Sequence, residues 1–190
     1  MTDKDIFAER GRSLEEEYFR RKDKELIEKM RNAAAADEAR AEMGKRTGLT
    51  DPELLKELEA LGFTPDTVIL LPLVPVLQVA WAEGGVSDGE RRLLVHLARA
   101  RGINQDSPAD RQLGEWMDRR PDDQVFLNAA RLIRAMLNAP GHHDLSADDL
   151  VRQAESIAAA SGGMLGIIGR VSAEEREILK ALASQLKGRG

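Results

Sequence analysis

Residues 79–91 read VAWAEGGVSDGER, and the chain repeats this pattern once, as IAAASGG at 157–163 and VSAEER at 171–176. An insertion, 164–170, separates the two halves of the second copy, and past it the apolar positions of the copies match at a constant offset. Each copy reads as a helix, a glycine turn and a second helix, and each needs a neighbour to bury its apolar stripe. The repeat therefore predicts a compact pseudo-two-fold helical bundle.

The composition favours an all-α fold for this chain of 190 residues. Hydrophobic residues make up 42% of it, whereas aromatic residues, which are enriched in sheets, make up only 4%. The plentiful Ala, Leu, Glu and Arg are good helix formers. The lack of cysteine excludes disulfides and thiolate-bound zinc. We expect an all-α protein of one domain with an appendage.

The charge and hydropathy patterns argue against nucleic-acid and membrane roles. The net charge is −5, and nucleic-acid contacts need a basic face. The first residues are charged and lack the apolar segment of a signal peptide. The longest apolar run, 68–82, is interrupted by Pro72, Pro75 and Gln78 and is too short to span a bilayer comfortably. We expect a cytoplasmic protein without an integral membrane segment.

The first 47 residues read as a charged helical segment, called the N-terminal arm below. Leu14, Tyr18, Leu26 and Met30 form a narrow apolar stripe at helical spacing among many charged residues. A narrow stripe on so charged a helix indicates a contact, either with the chain's own core, with a second copy of the arm, or with another protein. A solvated helix lying along its own domain is the simplest of these alternatives.

Glycine, proline and helix-cap residues divide the rest of the chain. They predict a short helical connector at 48–65 and a helical domain at 66–190. Three helix starts carry the Ser/Thr-x-x-Glu pattern of a capping box, in which the hydroxyl accepts a backbone hydrogen bond and the glutamate reaches back to the cap. The three pairs are Thr50 with Glu53, Ser87 with Glu90, and Ser172 with Glu175.

Residues 79–90 resemble the signature of the tellurite-resistance TerB-like family, in which a hydrophobic helix ends in Ala-Asp-Gly and a Val-Ser-x-x-Glu cap begins the next helix. The second copy is similar to the partner half of that fold, so the resemblance covers 66–188. It implies a compact helical bundle, a role in stress response and bacterial tellurite resistance, and divalent metal held by acidic residues near the turns. Glu83 stands where the family has Asp, and Ser161 stands there in the second copy.

Acidic residues around the first turn form a candidate metal site. Glu83, Asp88 and Glu90 supply carboxylate oxygens, the ligands that calcium and magnesium prefer. The capping box explains Glu90 without a metal, and the helix dipole explains Asp88 in the first turn. A divalent-metal site and a purely structural cap therefore stand as alternatives.

The inserted loop carries four apolar residues among glycines, with Leu165 and Ile167 as its candidate contacts. It lacks the Gly-Lys-Ser/Thr ending of a phosphate-binding loop and follows a helix rather than a strand, so it does not indicate a nucleotide site. Its apolar residues either tuck under the bundle or offer a docking surface.

No combination of nucleophile, base and orienting residue stands out, since the chain holds three histidines and no cysteine. The sequence therefore predicts a non-catalytic interaction or scaffold protein, linked to stress response by the TerB-like resemblance, without an obligatory cofactor. A calcium- or magnesium-binding module is one alternative. Residues 10–19 are similar to the start of the zeta inhibitory subunit of bacterial F-type ATP synthase, so an ATPase inhibitor acting through the N-terminal arm is another.

Overall fold

The computed structural model describes residues 3–139, 146–161 and 171–187, with side chains described for 15–139, 146–160 and 171–187. Within these ranges the chain is all-α and has no strand, which confirms the predicted fold class. The elements are α1 (Asp3–Thr47), α2 (Pro52–Ala60), a 3-10 helix (Val68–Leu73), α3 (Val74–Ala80), α4 (Asp88–Ala100), α5 (Pro108–Asp118), α6 (Asp123–Leu137), α7 (Ala147–Ser161) and α8 (Ala173–Lys187).

The chain divides into two compact units, Met1–Ala39 (unit 1) and Arg40–Gly190 (unit 2). The boundary falls inside α1 and within the segment that the sequence assigns to the N-terminal arm. Among the described residues, every buried hydrophobic side chain lies in unit 2, and the first is Met43, which is 1% exposed. The hydrophobic core therefore begins before α1 ends.

Helix α2 begins one residue later than the sequence predicts. Its N-cap is Asp51, whose Oδ1 accepts a hydrogen bond from the backbone N of Glu53 at 2.9 Å. This corrects the predicted capping box of Thr50 with Glu53. Pro52 fills the first helical position, where a missing N–H has no cost, and the residue directly before it takes the cap. The side chain of Glu53 instead accepts a hydrogen bond from Lys56 at 2.8 Å.

The apolar run at 68–80 lies in the core of unit 2. The 3-10 helix leads directly into α3, with Pro72 inside the former and Pro75 in the first turn of the latter. Nearly all of these residues are buried. Because full burial of a Val or Leu side chain contributes about 1.5–3 kcal/mol, this run is a main source of stability. None of the described helices combines the length and the apolar character that a bilayer crossing requires.

The two repeat copies pack against each other within unit 2. The first copy supplies α3 and α4, and the second supplies α7 and α8. Helix α3 contacts both helices of the second copy, and α7 contacts both helices of the first. Gly89 marks the close approach of α4 to α7, since a Cβ added there meets the carbonyl O of Ala160 at 3.0 Å. The repeat therefore forms one bundle rather than two separate lobes.

Candidate functional site

The caps of α4 and α8 share one geometry. The Oγ of Ser87 accepts a hydrogen bond from the backbone N of Glu90 at 3.4 Å, and Glu90 Oε2 accepts from the backbone N of Ser87 at 2.8 Å. At α8 the Oγ of Ser172 accepts from the backbone N of Glu175 at 3.1 Å, and Glu175 Oε2 accepts from the backbone N of Ser172 at 2.7 Å. The second helix of each repeat copy therefore begins with a reciprocal capping box.

Both capping glutamates are buried. Glu90 is 2% exposed and Glu175 is 0% exposed. Burial raises the pKa of Glu90, the hydrogen bonds from Ser87 oppose that shift, and the negative charges of Glu175 and Glu83 add to it. The two caps therefore interact electrostatically where the repeat copies meet, which the capping pattern alone does not indicate.

The structure places the three candidate metal ligands in different environments. Glu83 and Asp88 are exposed, whereas Glu90 is buried and its Oε2 accepts two hydrogen bonds from Ser87. Among the described residues, no three His, Asp or Glu side chains come together in an arrangement that could hold a metal ion. Ligation of calcium or magnesium by this turn stays a prediction.

Within the part of the chain that the structure describes, most of the exposed large hydrophobic side chains lie on unit 1. Seven large hydrophobic side chains are exposed in the described part of the chain, and five of them lie between 18 and 30. They are Tyr18 (49% exposed), Phe19 (61%), Leu26 (57%), Ile27 (51%) and Met30 (64%). None of the residues 15–39 is buried. A helical segment with this much exposed apolar surface, and with no buried side chain among residues 15–39, is typical of a binding element.

Tyr18 and Phe19, two adjacent aromatic residues of unit 1, form a small cluster with their charged neighbours. The rings of Tyr18 and Phe19 meet edge to face, with centroids 5.8 Å apart. The guanidinium carbon of Arg21 and the Nζ of Lys22 each lie 5.9 Å from the centre of the Tyr18 ring. Ion pairs within the helix join Arg20 to Glu16 at 3.7 Å and Lys22 to Glu25 at 3.6 Å. The ion pairs are exposed, so each is worth little by itself.

The sequence-based interaction residues are only partly described. Tyr18, Leu26 and Met30 are exposed on one helix, as a contact surface requires. The side chain of Leu14 lies outside the described residues, and so do Leu165 and Ile167. Phe19 is not among the predicted contacts, although its spacing of seven residues from Leu26 places the two on the same side of a helix.

The comparisons with known proteins give no relative for this chain. No protein-family model, curated protein or solved structure matches it.

Proposed function

We propose that this chain is a non-catalytic interaction or scaffold protein whose unit 1 binds a protein partner or a second copy of the chain. The observation that carries the proposal is the placement of Tyr18, Phe19, Leu26, Ile27 and Met30, exposed on one helix. Aromatic residues and methionine are enriched in protein interfaces, and an exposed cluster of them is a common mark of one.

The two units differ in how they bury their side chains, and this difference supports different roles for them. Unit 2 encloses its apolar side chains between helices, and its conspicuous acidic pair, Glu90 and Glu175, is engaged in helix caps. Unit 1 has no buried side chain among 15–39. We infer that unit 2 is the folded scaffold and that unit 1 is the contact element.

Deletion of residues 1–39 tests the proposal. The deletion stops before Met43, since removing that buried side chain would damage the core of unit 2. We expect the shortened chain to keep a cooperative thermal transition and to lose association with its partner or with a second copy. A shortened chain that unfolds would mean that unit 1 is structural, and one that binds as before would place the contact elsewhere.

The physiological setting rests on the resemblance of 66–188 to the TerB-like family, which supports a stress-linked role in the cytoplasm. This link is associational, because a shared fold does not determine function. It is tested by comparing the tellurite and oxidant sensitivity of cells with and without the chain, with the 1–39 deletion as the informative variant. Equal sensitivity in all three strains would contradict the stress-linked role.

A divalent-cation module at the 83–90 turn is the second candidate function. It is favoured by the electrostatic influence that Glu83 and Glu175 exert on Glu90, which brings three negative charges near one turn. Titration with calcium and magnesium, followed by calorimetry and by melting temperature, tests it. Binding that Glu83→Gln abolishes would support the cation site, and the absence of any heat or thermal shift would remove it.

A further inference from the structure

The charges around Tyr18 and Phe19 of unit 1 are ordered as a mirror image of opposite sign. Residues 15–17 are three glutamates, Tyr18 and Phe19 follow, and 20–22 are Arg, Arg and Lys. When the segment 15–22 is read in the reverse direction, each glutamate position takes a basic residue and each basic position takes a glutamate. A helix of this kind presents opposite charges to a copy of itself that runs in the opposite direction.

Four of these eight residues, namely Glu15, Tyr18, Phe19 and Lys22, share one side of the helix. If a face is centred midway between Tyr18 and Phe19, then at about 100° per residue Glu15 and Lys22 lie about 10° from that centre and Leu26 about 30° from it. Ile27 lies about 130° away, on the other side of the helix. We call the aromatic face the set formed by Glu15, Tyr18, Phe19, Lys22 and Leu26, all of them exposed.

Two copies of the helix can pack through their aromatic faces in antiparallel directions, with Tyr18 of each copy at the same height as Phe19 of the other. This arrangement brings complementary groups together. Glu15 of each copy then lies level with Lys22 of the other, and Tyr18 lies level with Phe19, which gathers four aromatic rings at the centre. A parallel pair in register would place Glu15 against Glu15 and Lys22 against Lys22, which is unfavourable. The order of charges therefore selects the antiparallel direction.

One position beyond the segment 15–22 also fits this register. In the same antiparallel register Leu26 is level with Gly11 of the other copy, a position without a side chain that crowds it. Glycine inside a helix is unfavourable by about 1 kcal/mol relative to alanine. Close approach of a second helix would explain why a glycine occupies position 11.

We propose that the aromatic face of unit 1 binds the aromatic face of a second copy of this chain, with the helices antiparallel about a two-fold axis at the Tyr18–Phe19 bond. The inference rests on the proposed interaction function and names a second copy as the partner. A membrane surface lacks this fit, because residues 15–39 hold eight acidic and six basic residues and so carry no net positive charge to attract anionic lipid. A different protein does not require a self-complementary order of charges.

Sedimentation equilibrium of the full-length chain tests self-association. Between about 1 and about 200 µM we expect a monomer–dimer equilibrium, which Tyr18→Ala combined with Phe19→Ala weakens by about tenfold or more. Ile69→Ala and Leu127→Ala, at exposed hydrophobic residues of unit 2, are matched controls that leave the dissociation constant unchanged. A chain that stays monomeric over this range overturns the proposal, and so do controls that weaken the dimer as much as the aromatic variant does.

A charge exchange tests the antiparallel register. Glu15→Lys alone and Lys22→Glu alone each replace two opposite-charge contacts by two like-charge contacts, so each weakens the dimer by about tenfold. The double variant restores opposite charges and returns the dissociation constant to within about threefold of the original. Single variants without effect, or a double variant weaker than either single one, overturn the register.

Failure of the self-association proposal can be distinguished from failure of the proposed interaction function. If the full-length chain is monomeric but binds a different, purified protein that the Tyr18→Ala, Phe19→Ala variant does not bind, then the second copy is the wrong partner and unit 1 is still a contact element. If neither self-association nor any binding depends on these two residues, both proposals fail.

Discussion

Unit 1 and unit 2 are both helical, yet they treat their apolar side chains in opposite ways. Unit 2 encloses residues such as Leu77 and Ile133, which are 0% exposed, in its hydrophobic core. Unit 1 leaves Tyr18 and Phe19 about half exposed or more. The difference shows that helix-forming sequence alone does not decide the role of a segment. A broad apolar stripe builds a core, whereas a narrow stripe bordered by charges is suited to a partner.

Two methionines of the same helix provide the largest expected contrast between the units. Met43 is 1% exposed and Met30 is 64% exposed, although both belong to α1. We expect Met43→Ala to lower the free energy of unfolding by about 2–5 kcal/mol, because it leaves a cavity in the core. Met30→Ala should change it by less than about 0.5 kcal/mol. Urea denaturation at low protein concentration measures the free energy of unfolding of both variants. Similar losses for the two would contradict the different burial of apolar side chains in the two units.

The two helix caps provide the next largest effect and compare the repeat copies within unit 2. Ser87 and Ser172 each accept a backbone hydrogen bond at the start of a helix. Replacing either one by alanine should lower the free energy of unfolding by about 1 kcal/mol. Equal costs would show that both copies support the bundle to the same extent. A cost at only one cap would contradict the structural equivalence of the copies.

The smallest expected effect concerns pH and the buried carboxyl of Glu90. Burial and the charges of Glu175 and Glu83 raise its pKa, so the folded chain keeps this proton to a higher pH than the unfolded chain does. The stability that the proton provides is full below the ordinary glutamate pKa of 4.5 and is lost as the pH rises through the raised value. Glutamine keeps the hydrogen-bonding pattern of the capping box without the charge.

We therefore expect Glu90→Gln to leave the melting temperature nearly unchanged at pH 4 and to raise it at pH 8. Glu53→Gln, at an exposed residue of the first turn of α2, serves as the control and should not raise the melting temperature at pH 8, because the charged carboxylate of Glu53 pairs with Lys56. A Glu90→Gln variant that melts lower than the original at pH 8 would show that ionised Glu90 stabilises the bundle, contrary to this account.

The sequence predicts the fold best where the signal is local. The cap residues at Ser87 and Ser172 are readable because their partners stand three residues away. The start of α2 is predicted one residue too early, because Thr50 and Asp51 are both acceptable N-cap residues. Pro52 lies in the first turn of the helix with either N-cap, so it does not decide between them in the sequence. The location of Met43 in the core depends on tertiary packing, so composition alone does not place the unit boundary inside α1.

The candidate site is predictable only in part for the same reason. The exposed stripe with Tyr18, Leu26 and Met30 follows from helical spacing. The burial of Glu90 beside Glu175 does not, because it arises where two distant segments of the chain meet. Phe19 lies outside the predicted apolar stripe. It belongs to the aromatic face because that face is centred midway between Tyr18 and Phe19.

Disulfide cross-linking tests the central claim, that unit 1 is a self-complementary contact element, most directly. The natural chain has no cysteine, so introduced thiols report only on their own positions. Full-length Glu15→Cys and Lys22→Cys chains are oxidised separately and as a mixture, with Leu127→Cys, at an exposed position of α6, as the control. We predict rapid formation of a covalent dimer in the mixture and slow formation in each separate sample, including the control. Equal rates in all samples, or fastest pairing of Glu15→Cys with itself, would contradict the antiparallel contact.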